Sequence, residues 1–349
     1  MLRQFLLRHG DQFPAKDKDH RARRCGARVE DQDAVFAFSR FQYLVPCELD
    51  NAPCERHIQR MNAAADHRPY ASAEQVAPLI RRVLARNPSA FTFTGTQTYL
   101  VGDGRDVAII DPGPDEAEHL DALIDAIGRA RVAAICCTHT HRDHSPAAAP
   151  LAEQTGAPII GCAPLALRDD GPRSDDSFDT GYKPDDVMRD GDTIGGEGWT
   201  LKALATPGHT SNHLCYAVGE TGALFTGDHV MGWSTSVVSP PDGDMTDYMV
   251  SLQKLYDRED AVYFPAHGPA IEKTRQFVRG MIGHRRSREN QITRLLEQDV
   301  CQIEDMVPRM YKGVDERLWP AAGRSVLAHL IDMERKGRAL RDGDSWTPA

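Results

Sequence analysis

The chain has 349 residues, 41% of them hydrophobic, and a formal net charge of -10. That length allows two domains with a real core. The acidic balance excludes a protein that coats nucleic acid over its whole surface, though not a local basic groove. No apolar run approaches the length of a membrane span, so no membrane partner is expected. Arg3, Arg8, Asp11, Lys16, Asp17 and Lys18 surround a very short apolar stretch, which does not read as a signal peptide. Eight cysteines lack the pairing pattern of a small secreted scaffold. A cytoplasmic location is the expectation.

Residues 1–70 form an amino-terminal extension. Asp11 to Asp33 is dense in charge and poor in branched aliphatics, the composition of a loosely structured segment. Its Leu6-Leu7-Arg8-His9-Gly10 contains the RHG of a histidine phosphatase, but nothing later completes such a site. Cys25, Cys47, Cys54 and His57 are spaced too irregularly to make a strong structural metal site.

A catalytic domain is expected over residues 71–283, becoming recognisable near Val76-Ala77-Pro78-Leu79. Val107 to Ile110 reads as a strand that ends in Asp111-Pro112-Gly113. Val132 to Cys137 is a second apolar run rich in strand formers, with Cys136 and Cys137 packed in it. It feeds Thr138-His139-Thr140-His141-Arg142-Asp143-His144-Ser145, the pattern HxHxDH. Side chains of an extended segment repeat with period two, so His139 and His141 share one side. Asp143 and His144 point elsewhere. The spacing therefore reads as two adjacent metal sites built from one turn. Imidazole and carboxylate suit zinc, with iron or manganese as close competitors. Ser145-Pro146 then caps a helix that runs to about Thr155 and stops at Gly156, and Ala157 to Gly161 reads as the next strand. Ligands at the carboxyl end of a strand are where α/β folds place their sites.

Three further candidates follow short strands, each beside a small residue that lets backbone approach closely. They are His209 in Thr206-Pro207-Gly208-His209-Thr210, Asp228 in Thr226-Gly227-Asp228, and His267 in Ala266-His267-Gly268. His213 and His229 lie nearby and read first as structural histidines. Arg168 to Ser177 and Met231 to Asp244 are loops expected near the site, where Trp233 is equally a pocket wall or an apolar plug. Met245 to Asp257 reads as a helix with Tyr248, Leu252 and Leu255 on one face.

Over residues 83–270 this ordered set resembles the metallo-β-lactamase superfamily of metallohydrolases. The resemblance implies an α/β fold, a four-layer αββα sandwich. It implies one metal on His139, His141 and His209, another on Asp143, His144 and His267, and Asp228 bridging both. Asp111 is a supporting residue in that family. Two dications a few ångströms apart share a water and lower its pKa to near neutrality, giving a hydroxide nucleophile. Two Zn²⁺ per chain are expected, with Asp143 orienting the nucleophile and His213 one candidate acid for the leaving group. The family's true β-lactamases generally have Cys or Ser at the bridging position, so Asp228 counts against β-lactam cleavage as the main activity.

Residues 284–349 are expected to form a small carboxyl-terminal domain. Ile271 to Gln298 is basic and helical, with Lys273, Arg275, Arg279, His284, Arg285, Arg286, Arg288 and Arg294. It is either a solvated face or a track for phosphates. Val326, Leu327, Leu330, Met333 and Leu340 have helical spacing, and Met333 to Leu340 resembles the last helix and wing of a winged-helix domain. His284 to Ile292 with Met306 to Tyr311 resembles the tail of the beta-lactamase-like protein 2 subfamily, some of whose members cut single-stranded RNA. Asn87-Pro88-Ser89 and Gly95 to Val101 resemble that subfamily's opening strands, with Gln97 where Asn is usual. The expected substrate is therefore single-stranded RNA, with a small-molecule ester, thioester or lactone of the glyoxalase II type as the alternative. A homodimer is compatible with the sequence.

Overall fold

The computed structural model describes residues 69–166, 177–314 and 316–349. The expectations placed on residues 1–68, including the RHG segment and the Cys25, Cys47, Cys54 and His57 group, lie outside the described residues, as does most of the polar loop 168–177.

Two five-stranded sheets form the centre. The first is ordered β1 (Ala73–Ala77), β2 (Ile80–Leu84), β3 (Gln97–Val101), β4 (Asp106–Ile110) and β5 (Arg131–Cys136). β4 and β5 are parallel, joined by the crossover helix α1 (Ala117–Ile127). Beyond β5 lie α2 (Ala148–Thr155) and the short strands β6 (Ile160–Gly161) and β7 (Asp186–Val187). The second sheet holds β8 (Thr193–Gly196), β9 (Trp199–Ala205), β10 (Leu214–Val218), β11 (Ala223–Gly227) and β12 (Val262–Pro265), with β8 at one edge and β12 at the other. β11 and β12 are again parallel, around α3 (Met245–Tyr256). Strands β3, β4, β10 and β11 are buried along their whole length, which is why they read as apolar runs rather than alternating patterns.

The first core joins both sheets and the helices outside the first one. Leu120, Leu123 and Leu151 pack with Val107, Ile109 and Ile135, and from the other sheet with Trp199, Tyr216 and Phe225. The second core lies outside the second sheet. There Leu204, Cys215 and Leu224 meet Tyr248, Leu252 and Leu255 of α3 and Val278, Met281 and Ile282 of α4 (Thr274–Glu297). This is the expected four-layer αββα sandwich.

A third core belongs to the carboxyl-terminal unit. Ile292 and Leu296 of α4 pack with α5 (Ile303–Met310), α6 (Trp319–Arg335) and the hairpin of β13 (Ala339–Asp342) and β14 (Ser345–Pro348), closed by buried Trp346. Helix α4 runs unbroken through the expected boundary at 283/284 and contributes to both cores. Its basic residues are divided rather than forming one track. Lys273, Arg275, Arg279, Arg286 and Arg294 are exposed, whereas His284, Arg285 and Arg288 are buried.

Polar side chains tie the two sheets together. Tyr99 Oη donates to Pro265 O at 2.7 Å, Tyr216 Oη to Cys137 O at 2.8 Å, and Trp199 Nε1 to Asp106 Oδ1 at 3.1 Å. Gln97 does most at the site end. Its Nε2 donates to Pro265 O at 3.0 Å and Gly268 O at 2.7 Å, and its Oε1 accepts from Arg82 Nη1 at 2.6 Å. An asparagine is one methylene shorter, so the departure from the usual residue has a use here: it spans the sheets on either side of His267. Gln97→Ala leaves buried acceptors and Arg82 without this partner. We expect a loss of about 2–3 kcal/mol, read as a lower denaturation midpoint at constant slope. An unchanged midpoint would contradict this account of the sheet junction.

Candidate metal centre

Asp111, at the carboxyl end of β4, organises the turn after β5. Its Oδ1 accepts from Thr138 N at 2.7 Å. Its Oδ2 accepts from Thr138 Oγ1 at 2.8 Å and from His144 Nδ1 at 3.0 Å. Because the Thr138 proton goes to Asp111, His139 Nδ1–H donates to Thr138 Oγ1, 3.0 Å away. Both imidazoles are thereby held in one tautomer with Nε2 free to face the site. Asp111 itself has φ +49°, a left-handed conformation uncommon for a residue other than glycine and typical of strained functional positions.

Gly208 and Gly227 let two other site residues approach. A Cβ on Gly208 would lie 2.3 Å from Tyr248 Cα, and one on Gly227 2.7 Å from His213 Nε2. His209, after Gly208, donates from Nδ1 to Val237 O at 2.6 Å, so its Nε2 also faces inward. His267 Nδ1 lies 3.2 Å from Gly95 O and is oriented by it.

All seven residues singled out in the sequence meet here. His139, His141, His209 and Asp228 form one group of converging donor atoms, and Asp143, His144 and His267 form another. His141 Nδ1 lies 2.9 Å from His139 Nε2 and 3.1 Å from His209 Nε2. With the Nδ1 protons of His139 and His209 directed away, at most one proton, on His141 Nδ1, is shared among these three converging nitrogens. In the second group His267 Nε2 lies 3.1 Å from Asp143 Oδ2, and His144 Nε2 lies 3.3 Å from it. Asp228 stands between. Its Oδ1 is 3.2 Å from His267 Nε2, and its Oδ2 is 3.7 Å from His209 Nε2.

The donor set fits a metal pair. His144 Nε2 and Asp228 Oδ1 are buried with no hydrogen-bond partner, which is costly unless something else binds them. Burial, then the neighbouring imidazoles, holds His139 far below its ordinary pKa; the same causes bring His141 to about 3. These rings are neutral, as metal ligation would require. Burial would also lower His144 and His267, but the carboxylates around them override it: His144 is raised well above the ordinary value and His267 to about 10.

Three supports were not visible in the sequence. Thr96 Oγ1 donates to Asp143 Oδ2 at 3.1 Å. The Ser236 hydroxyl donates to Asp228 O, and the ring of Phe178 lies 4.6 Å from that of His141. The carbonyl and hydroxyl supports come from loops with no local signal.

His213 stands differently from the expectation placed on it. It is 1% exposed, pairs through Nδ1 with Thr206 Oγ1 at 2.9 Å and accepts the Asp228 amide through Nε2 at 3.3 Å. It lies behind the site, and with both nitrogens engaged it has no route to a leaving group. His229 is buried against Tyr248, as a structural residue.

The buried donor cluster at the strand ends of an αββα sandwich defines a metallohydrolase. The chain belongs to the metallo-beta-lactamase superfamily, whose model matches residues 91–267, and a beta-lactamase-associated winged-helix domain matches residues 303–346. A beta-lactamase-like protein 2 homolog of Drosophila melanogaster is 34% identical over 269 residues, covering 74% of this chain and 88% of that protein. An atrochrysone carboxyl ACP thioesterase of Cryptosporiopsis is 32% identical over 249 residues, covering 70% and 71%. A beta-lactamase domain protein from Burkholderia ambifaria has the same fold, with TM-score 0.68 at 20% identity, covering 82% of this chain and 96% of that one. No described helix is long and apolar enough to cross a membrane.

Asp111→Ala removes the common acceptor of Thr138 and His144. We expect metal affinity to fall about 10- to 100-fold in a chelator-competition titration, with the far-UV spectrum retained. Undiminished affinity would remove Asp111 from the supporting role.

Proposed function

We propose that this chain is a binuclear zinc hydrolase of small-molecule esters or thioesters. In this reading one zinc sits on His139, His141 and His209, the other on Asp143, His144 and His267, and Asp228 joins them. The observation that carries the substrate class is the cavity. It measures about 1100 Å³ and runs from Asp143, His209 and Asp228 to the carboxyl-terminal unit. Its walls include Phe91, Trp233, Val237, Pro240, Tyr311 and Leu318, a largely apolar surface suited to burying an acyl body. Trp233 is thus a wall, stacked on Phe93 at 5.1 Å.

A bound metal pair would supply an acidified water and polarise the carbonyl. The chain's own residues do the rest. Asp143, steadied by Thr96, accepts a proton from the attacking water and orients it. The new bond joins water oxygen to the acyl carbon as the carbon–sulfur bond breaks. A thiol has a pKa of about 8.5, so the thiolate leaves at neutral pH without a strong acid. That agrees with the placement of His213 away from the cavity. The ACP thioesterase among the similar proteins supports the same class.

RNA cleavage is the second reading. Its expected basis was the basic face of α4, but two of its arginines turn inward, and single-stranded nucleic acid asks for an open basic groove. Zinc-loaded protein assayed on S-lactoylglutathione and on labelled single-stranded RNA, each with and without chelator, separates the two. Chelator-sensitive thioester hydrolysis without RNA cleavage is expected. RNA cleavage alone would overturn the proposal.

A further inference from the structure

The same cavity contains positive charge that the site chemistry does not use. Arg285 and Arg288 line it from α4, and Arg324 from α6. Arg285 is 3% exposed and Arg288 8%. Their partners are all neutral. Arg285 donates to Ser236 O and lies over the Tyr248 ring. Arg288 Nη1 donates to Met310 O at 2.7 Å and to Gln291 Oε1 at 2.9 Å, over the ring of Tyr311. Arg324 Nε donates to Ser239 Oγ at 3.1 Å. Among the described residues no carboxylate pairs with any of the three. The Nε atoms of Arg285 and Arg288 are buried with no hydrogen-bond partner.

Buried cations are retained where they are paired or have an anion to meet. Burial, and after it Arg285 and Arg288, also lower the neighbouring His284 to about 3. The cluster also borders the metal-site residues. Ser236 accepts from Arg285 through its carbonyl and donates through its hydroxyl to the Asp228 carbonyl.

We propose that Arg285, Arg288 and Arg324 form a subsite for an anionic group of the substrate, a carboxylate or a phosphate, bound in the same cavity while the scissile bond lies at the metal centre. This deepens the acyl-hydrolase reading and rests on it. A guanidinium fork matches the two oxygens of either anion. Apolar walls with arginines at one side then select a substrate with an apolar body and a charged arm. The arm lies either on the acyl side or on the thiol side.

Three thioesters with one scissile bond test it: pentanoyl-pantetheine, its glutaryl counterpart, and pentanoyl-phosphopantetheine. The first is neutral, the second carries a carboxylate on the acyl arm, and the third a phosphate on the thiol arm. Values of kcat/KM are compared for the zinc-loaded parent, Arg288→Met, Arg324→Met and the exposed control Arg286→Met. The parent is expected to prefer one charged substrate about 10- to 100-fold, carried mainly by KM. Both Arg288→Met and Arg324→Met should lose that preference, and Arg286→Met should keep it. Arg324 is only half-buried, so its variant keeps the test decisive if Arg288→Met folds poorly. Turnover with no charge preference, or a preference that survives in Arg324→Met, would overturn the subsite alone. No turnover of any thioester would overturn the acyl-hydrolase reading with it.

Discussion

Seven ionisable side chains, five buried and two half-buried, converge at one point of this molecule, and the rest of the structure serves that arrangement. Imidazoles and carboxylates buried together are costly unless a cation or protons compensate them. Here the donor atoms of His139, His141, His209 and Asp228 face one spot, and those of Asp143, His144 and His267 face a neighbouring one. The remote nitrogens of His139, His144, His209 and His267 are pinned by a backbone carbonyl, a hydroxyl or a carboxylate, as with Asp111 on His144 and Val237 on His209. A flexible surface could not hold that geometry. Two rigid sheets, bridged by Tyr99, Tyr216 and Gln97, can.

The carboxyl-terminal unit completes a wall of the cavity. Helix α4 belongs to two cores at once, so the metal centre and the outer unit are joined by one rigid rod. Arg285 reaches from that helix to Ser236, beside Asp228. The cavity is therefore closed by residues from both units, such as Trp233 from one and Tyr311 from the other. In the proposed reading substrate choice lies at that junction, because the donor cluster alone does not distinguish one hydrolysable bond from another.

Much of this was legible in the chain. HxHxDH lies on contiguous residues, and the later ligands follow glycines or small residues that a tight strand-to-loop turn requires, so local pattern carried the donor set. Apolar runs such as Val107 to Ile110 carried the buried strands. What local pattern could not carry was orientation in the middle of α4, where His284 to Gln291 are polar on every side. Arg285 and Arg286 are adjacent, yet one is buried against Tyr248 of α3 and the Ser236 carbonyl and the other exposed, because tertiary docking decides which side of α4 is covered. The supports from Thr96 and Val237 are likewise contacts between segments distant in sequence, and that from Ser236 depends on how its loop folds back to Asp228. His213 misled for the same reason. Its spacing after His209 is compatible with a catalytic partner, while its burial under Asp228 depends on the fold of β10 and β11.

Anomalous diffraction at the zinc edge from crystals of the zinc-loaded protein tests the central claim most directly. Two anomalous peaks per chain are predicted, one among His139, His141 and His209, the other among Asp143, His144 and His267, with Asp228 between them. A single peak, or peaks away from these residues, would contradict the account.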